Sequence, residues 1–174
     1  MLTPINDLSQ LLETKRFSIA NEVAMQSFGT TLVKSLPEKA LVTLSGELGA
    51  GKSVLARAMI HSLGYEGRVK SPTYTLIETY EATNADNSVT RIAHLDLYRL
   101  SDPEELDYLG FDDVLVTNNL VIIEWPEQGE GRVPVASVHV TIEYALSETL
   151  SETLSGIQSE PNARTVILQS ALHH

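Results

Sequence analysis

The chain has 174 residues, of which 43% are hydrophobic, and its formal net charge at pH 7 is −11. Because a chain of this length can bury one sizeable core, we expect a single domain over residues 1–174. The acidic balance disfavours tight binding of a nucleic-acid backbone by the chain alone, and the lack of cysteine excludes disulfides and thiolate metal sites.

The first residues carry no recognisable targeting or anchoring signal. Residues 1–7 have neither a basic segment nor a long apolar one, and no apolar run in the chain approaches the length of a membrane span. We therefore expect a cytoplasmic protein that has no membrane partner. Residues 1–15 read as a short lead-in that is partly helical around residues 8–12.

A strand and a helix are predicted next. Residues 16–19 suit a short strand because apolar and polar side chains alternate there. Residues 21–36 place apolar side chains at near-helical spacing and end before Pro37, which favours a helix. Either Ser18 or Asn21 could cap this helix.

A phosphate-binding loop is the strongest signal in the sequence. Residues 41–45 favour a strand, residues 46–53 fit the pattern G-x-x-x-x-G-K-[ST], and residues 54–63 read as a helix that Gly64 ends. The pattern by itself arises by chance in on the order of one percent or less of chains of this length. The flanking strand and helix make a chance match rarer still.

The residue types of this loop explain what it would bind. Glycines let the backbone curl around a polyphosphate, and the helix dipole that begins near Lys52 favours the same anion. Lys52 would reach the β- and γ-phosphates, and the hydroxyl of Ser53 would ligate Mg²⁺.

Further strands and a helix follow the loop. The strand segments are residues 73–80 and 89–98, joined as a hairpin, then 120–123, 135–144 and 164–168. A helix opens with Ser101 or Asp102 as its cap. Residues 146–163 contain the tetrad SETL twice in tandem and are predicted to be a low-complexity surface loop.

An acidic residue directly follows the most apolar strand. Residues 120–123 are apolar throughout, which is typical of a strand buried on both faces, and Glu124 comes next. Phosphate-loop enzymes place a second magnesium anchor at such a position. The alternative is that Glu124 is only the first solvated residue after a core strand, and the upstream loop favours the metal role.

Three other stretches leave alternatives open. On the second hairpin strand, His94 and Asp96 share one face; Asp96 could hold a magnesium-bound water or orient the attacking water, and Arg99 could neutralise phosphate charge. The alternative is a strand with one wet face and a surface arginine. Residues 71–75 could sense the γ-phosphate through magnesium or be a plain turn. Trp125 could belong to the core, cover the phosphates or meet a partner.

The chain resembles the TsaE (YjeE) family, whose members are small cytoplasmic bacterial ATPases required to make N6-threonylcarbamoyladenosine in tRNA. The matching stretches come in the family's order and together span roughly residues 16–145: they are residues 46–53, 69–76, 94–100 and 123–127. The resemblance implies ATP and Mg²⁺ as ligands. It also implies TsaD and its paralogue TsaB as partners, with tRNA reached only through that complex, whose turnover the ATPase supports.

The resemblance also implies roles for single residues. The nucleotide-binding positions map onto Glu47, Leu48, Gly49, Ala50, Gly51, Lys52, Ser53, Thr73 and Tyr74. The magnesium-binding positions map onto Ser53 and Glu124, and the catalytic positions onto Lys52, Asp96 and Glu124. Many relatives carry threonine where this chain has Ser53, a conservative difference because either hydroxyl can ligate magnesium.

Two alternatives to a regulatory ATPase remain. A small-molecule kinase shares the loop but usually adds a mobile lid with several arginines, whereas the arginines of this chain are scattered. A nucleotide-gated binding module with negligible turnover is the other alternative. We expect an α/β, three-layer domain of the P-loop NTPase type, with a largely parallel central sheet flanked by helices and extended by antiparallel strands, that hydrolyses ATP slowly in isolation.

Overall fold

The computed structural model describes residues 14–145 and 163–170. These residues form one mixed sheet with helices on both faces. The strands are β1 Lys15–Ile19, β2 Ala40–Gly46, β3 Ile77–Thr83, β4 Val89–Asp96, β5 Leu120–Glu124, β6 Val138–Tyr144 and β7 Arg164–Ser170. The helices are α1 Glu22–Lys34, α2 Lys52–Ser62, α3 Glu105–Tyr108 and α4 Phe111–Thr117, and Pro126–Gly129 form a 3₁₀ turn. Most of the predicted lead-in and the SETL repeat lie outside the described residues.

The sheet is parallel at its centre and antiparallel at its edges. Its strands lie in the order β1-β7-β6-β2-β5-β4-β3. Strands β6, β2, β5 and β4 run parallel, while β7 pairs antiparallel with β6 and β1, and β3 pairs antiparallel with β4. All residues of β5 are buried, as expected for a central strand covered on both faces. The predicted largely parallel sheet, extended by antiparallel strands, is confirmed.

Helices cover the two faces of the sheet with separate apolar clusters. On one face α1 and α2 bury Phe28, Leu32, Leu55 and Met59 against β2, β5 and β6. On the other face, Leu106 and Phe111 pack against β4 and β5. These three layers confirm the predicted architecture. They also leave the carboxyl ends of β2, β5 and β4 along one edge, which is where ligands bind in open α/β sheets.

Some element boundaries differ from the prediction. The segment from residue 73 to 76 was expected to open a strand, and that expectation is wrong, because Leu76 has φ 63 and its N–H donates to the carbonyl of Pro72 at 2.7 Å. This closed turn delays β3 to Ile77. Strand β4 ends at Asp96 instead of residue 98, and β6 begins at Val138 instead of residue 135.

One of the two predicted helix caps is confirmed and the other is wrong. The side chain of Asn21 accepts from the N–H of Ala24 at 3.0 Å, so Asn21 caps α1. Asp102 accepts from the N–H of Glu104 at 2.9 Å in a turn that precedes α3. Helix α3 begins only at Glu105 and its N-cap residue is Glu104, so the prediction of Ser101 or Asp102 as the cap is wrong. Among the described residues, no helix combines the length and apolar character needed to cross a membrane.

Candidate functional site

The glycine-rich loop curls as its pattern predicts, between the end of β2 and the start of α2. Gly46 has φ 143, and a Cβ at this position would collide with the carbonyl oxygen of Ile142 on β6. The first glycine of the motif is therefore required by the neighbouring strand as well as by its own backbone angles. Gly49 and Gly51 are also left-handed, with φ 78 and 114, and turn the chain into α2.

Lys52 lies at the centre of the loop and is only 4% exposed. Its Nζ donates to the carbonyl oxygens of Gly46 at 2.6 Å and Glu47 at 2.9 Å, and lies 3.8 Å from the centre of the Trp125 ring. Burial lowers the pKa of Lys52, and the nearby carboxylate of Glu124 acts in the opposite direction. A buried cation whose hydrogen-bond acceptors are two neutral carbonyls is well suited to attract a polyphosphate.

Two carboxylates stand side by side at the carboxyl edge of the sheet. Asp96 and Glu124 end β4 and β5 and are register partners, and they are 4% and 2% exposed. The hydroxyl of Ser53 donates to Oε2 of Glu124 at 2.9 Å, and the hydroxyl of Thr73 donates to Oδ2 of Asp96 at 2.7 Å. The backbone N–H of Tyr98 donates to the other Asp96 oxygen at 3.1 Å. The structure thus brings together the predicted residues of the loop, of both strands and of residues 71–75, which we call the switch segment.

The donor set at this edge fits Mg²⁺ bound together with phosphate. Mg²⁺ prefers oxygen ligands and is usually held by one or two carboxylates with the phosphates of a substrate. Ser53 and Glu124 supply a hydroxyl and a carboxylate oxygen 2.9 Å apart. Within residues 14–145 and 163–170, no group of three or more acidic or histidine side chains could hold a metal without such help.

His94 belongs to this site, and the sequence analysis assigned it no role. Its Nε2 lies 2.8 Å from Oε1 of Glu124, and both side chains are almost wholly buried. The alternation along β4 places His94 on the same face as Asp96, and this was the signal that could have identified it.

Arg164 and Tyr144 also reach the loop, from strands β7 and β6. The hydroxyl of Tyr144 donates to the carbonyl of Leu48 at 2.9 Å, and Nε of Arg164 donates to the carbonyl of Ala50 at 3.2 Å. The guanidinium of Arg164 lies 4.2 Å from the centre of the Tyr144 ring. No sequence signal pointed to Arg164, because only the order of strands in the sheet brings β7 near the loop.

A cavity of about 220 Å³ opens beside this loop, on the side of Arg164. Its wall is formed by the loop residues 49–51, by Val54, and by Asn21, Glu22 and Met25 at the start of α1. The cavity combines apolar side chains with one cation, Arg164, and one acidic residue, Glu22, next to the loop.

Other predicted residues lie at the rim of the site. Leu48 and Tyr74 are 70% and 82% exposed. The guanidinium of Arg99 lies over the ring of Tyr74, 4.3 Å from its centre. Trp125 is half-buried, with φ 57, and its ring contacts that of Tyr98 at a centroid distance of 5.0 Å. Trp125 therefore lies at the site, next to Lys52, and also packs against the apolar cluster of α3 and α4.

Comparisons with known proteins agree with this geometry. The family model described as threonylcarbamoyl adenosine biosynthesis protein TsaE matches residues 19–152. TsaE of Haemophilus influenzae is 45% identical over 131 residues, which cover 72% of this chain and 80% of that protein. TsaE of Streptomyces coelicolor is 34% identical over 135 residues, covering 74% and 84%. Bacillus subtilis YdiB shares the fold, with a TM-score of 0.65 at 19% identity over 91% of this chain and 86% of that one. Because the family model spans most of the chain and relatives match it over most of their length, the chain belongs to the TsaE family.

Proposed function

We propose that this chain binds ATP with Mg²⁺, hydrolyses the ATP slowly on its own, and thereby supports turnover of a TsaD–TsaB complex that makes N6-threonylcarbamoyladenosine in tRNA. The observation that carries the proposal is the 2.9 Å contact between Ser53, directly after the loop lysine, and Glu124 at the end of β5. A hydroxyl at the start of the loop helix and an acid at the end of a neighbouring strand hold Mg²⁺ in phosphate-loop enzymes.

Each side chain has a role in this proposal. Residues 47–53 hold the phosphates through backbone N–H groups, and Lys52 exchanges its carbonyl partners for β- and γ-phosphate oxygens. Ser53 and Glu124 hold Mg²⁺, which would neutralise charge on the phosphates. Asp96 orients the attacking water. The hydroxyl of Thr73 donates to Asp96 and so links this carboxylate to the switch segment, which also contains Tyr74.

We infer that the ribose and base of ATP extend toward the cavity beside Arg164. Lys52 and the carboxylates occupy the side of the loop that faces β4 and β5, so the γ-phosphate belongs there. Met25 and Val54 offer an apolar wall on the opposite side of the loop, where a base would rest, and the guanidinium of Arg164 offers a cation.

The biological role is inferred from relatives. The proteins from Haemophilus influenzae and Streptomyces coelicolor are each named tRNA threonylcarbamoyladenosine biosynthesis protein TsaE. The net charge of −11 supports action through protein partners, with tRNA reached only indirectly. We propose that this work takes place in the cytoplasm, where bacterial tRNA is modified.

Restoration of modified tRNA tests the proposal. In cells that lack their own TsaE, this chain should restore the modified nucleoside in tRNA digests measured by mass spectrometry, whereas Ser53→Ala and Glu124→Ala should not. Lys39→Ala is the matched control, because Lys39 is exposed at the opposite end of β2 and donates to the carbonyl of Val116. Full restoration by Ser53→Ala and Glu124→Ala would contradict an ATP- and Mg²⁺-dependent role.

A further inference from the structure

His94 and Ser53 divide the two oxygens of Glu124 between them. Nε2 of His94 lies 2.8 Å from Oε1, whereas the hydroxyl of Ser53 donates to Oε2 at 2.9 Å. The histidine comes from the adjacent strand β4 and is 1% exposed, and the serine comes from the first turn of α2. The carboxylate of Glu124 is therefore hydrogen-bonded to a residue of the sheet through one oxygen and to a residue of the loop helix through the other.

The surroundings of Nδ1, the other ring nitrogen of His94, indicate which of the two nitrogens carries the proton. Nδ1 is buried, and none of the residues that the structure describes offers it a hydrogen-bond partner. A proton on Nδ1 would be a buried N–H without an acceptor, which costs free energy, whereas a proton on Nε2 points at the carboxylate oxygen Oε1. A ring whose proton is on Nε2 donates to Glu124 and leaves no N–H unpaired.

We propose that His94 is a positioning residue, which holds Oε1 of Glu124 so that Oε2 alone faces Ser53 and the Mg²⁺ of a bound nucleotide. The inference rests on the proposed role of Glu124 as a magnesium ligand. The Ser53 hydroxyl turns about a single bond and can leave Oε2 when it is needed as a ligand itself. The imidazole is packed in the sheet and keeps its contact, so the carboxylate retains its orientation.

A donor, and not the bulk of the ring, is what this role requires. Glutamine and methionine have side chains of similar length and shape, but only glutamine can donate an N–H to Oε1 of Glu124. The pair His94→Gln and His94→Met therefore isolates the hydrogen bond. The affinity for a non-hydrolysable ATP analogue would be measured by the fluorescence of Trp125, the one tryptophan, in excess Mg²⁺ and again in EDTA.

The expected result is a split between the two conditions. In EDTA, wild type and both variants should bind the analogue within about twofold of each other, since His94 would act only through the metal ligand. Wild type and His94→Gln should show the same gain in affinity with Mg²⁺, and His94→Met should lose about tenfold or more of that gain, as for other groups that support a metal ligand. The free protein should show the His94 proton on Nε2 in ¹⁵N NMR spectra.

Different failures would have different meanings. A full Mg²⁺ gain in His94→Met, or an equal loss in His94→Gln, would overturn the positioning role while leaving the proposed function intact. No Mg²⁺ gain in the wild type would overturn the proposed function itself, and this inference with it. If His94→Met does not melt cooperatively, His94→Gln and the NMR spectrum decide: a ring without a proton on Nε2, or a lost Mg²⁺ gain in His94→Gln, overturns the inference.

Discussion

At the residue scale, we expect Lys52 to contribute strongly to nucleotide binding and little to the stability of the fold. Because burial lowers its pKa below the ordinary 10.5, the unfolded chain binds the Lys52 proton more tightly than the folded chain does. Near neutral pH the buried charge therefore costs stability, a cost that falls as pH rises through the folded-state pKa toward 10.5. Lys52→Ala removes this cost together with the two hydrogen bonds to loop carbonyls.

We expect Lys52→Ala to weaken ATP binding by at least about 100-fold, because a single hydrogen bond to a charged group contributes about 1.5–3 kcal/mol and Lys52 would contact both the β- and γ-phosphates. Its melting temperature without nucleotide should stay close to that of the wild type. Calorimetric titration and thermal melting, with Lys39→Ala as the control, measure both. Wild-type affinity in a folded Lys52→Ala protein would refute the assignment of the phosphate loop.

The two carboxylates should respond differently to substitution. Glu124 contacts Ser53, so Glu124→Ala should abolish the tightening of nucleotide binding by Mg²⁺. Asp96 contacts Thr73 and the N–H of Tyr98, so Asp96→Ala should keep nucleotide affinity within about threefold and lose turnover by 10²-fold or more, as for a group used mainly in the transition state. Affinities with Mg²⁺ and EDTA, set against single-turnover rates, distinguish the variants. If Asp96→Ala abolished the Mg²⁺ dependence and Glu124→Ala lost only turnover, Asp96 would be the magnesium ligand and Glu124 would serve the attacking water.

At the scale of elements, strands β6 and β7 hold the phosphate loop from the side. Arg164→Ala should weaken ATP binding about tenfold, because it removes a donor to the loop and a cation beside the cavity, and a hydrogen bond to a charged group contributes about 1.5–3 kcal/mol. The Mg²⁺-dependent gain should be unchanged, since Ser53 and Glu124 are untouched. Arg16→Ala is the control, an exposed arginine on the edge strand β1. If Arg164→Ala and Arg16→Ala bound ATP with equal affinity, Arg164 would not contribute to ATP binding.

Local patterns in the sequence predict much of this fold but stop where distant segments meet. Three predicted features each depend on one contiguous stretch of sequence: the loop motif, the buried strand before Glu124 and the hairpin. All three are present in the structure. A turn at residues 71–75 was one of the predicted alternatives, but its extension to Leu76 was missed because a leucine with positive φ has no sequence signature. Arg164 was missed because its contact depends on strand order, and His94 because its partner Glu124 lies 30 positions along the chain.

The face of β2 and β6 that α1 and α2 leave uncovered contains a pH-sensitive group. His139 is half-buried there, with Nδ1 2.8 Å from the hydroxyl of Thr43. Burial lowers the pKa of His139 below its ordinary 6.5, and Glu127 opposes this shift. Between the folded-state pKa and 6.5 the unfolded chain binds the proton and the folded chain does not. The free energy of unfolding therefore falls as pH drops through this window and is unaffected by His139 above it.

His139→Gln should remove this part of the pH dependence. Urea unfolding at about pH 7.5 and about pH 5.5, on either side of the ordinary histidine value, gives the loss of stability for each protein. We expect a smaller loss for the variant than for the wild type. A loss of the same size in both proteins would show that His139 does not contribute.

At the scale of the whole molecule, the proposed nucleotide site is open toward the surface that carries Tyr74 and Arg99. Tyr74 is 82% exposed, and Arg99 lies over its ring and not on the loop. Within the described residues, Lys52 is the cation at the centre of the loop. Its ammonium group contacts loop carbonyls and lies near the carboxylates of Glu124 and Asp96. Phosphoryl transfer also needs positive charge on the γ-phosphate oxygens, which a partner protein can supply as an arginine.

Hydrolysis by the isolated chain should therefore be slow, and docking of TsaD and TsaB should accelerate it. An arginine supplied by a partner raises turnover by roughly 10³–10⁵ in other phosphate-loop proteins, so an increase of about tenfold or more would be a conservative expectation here. Steady-state ATPase rates of the chain alone, then with both partners, then with Arg99→Ala, provide the measurement. If Arg99 belongs to the docking surface, Arg99→Ala should reduce the acceleration and spare the slow basal rate. Full-speed turnover by the lone chain, unchanged by partners, would instead favour a small-molecule kinase or a free-standing ATPase.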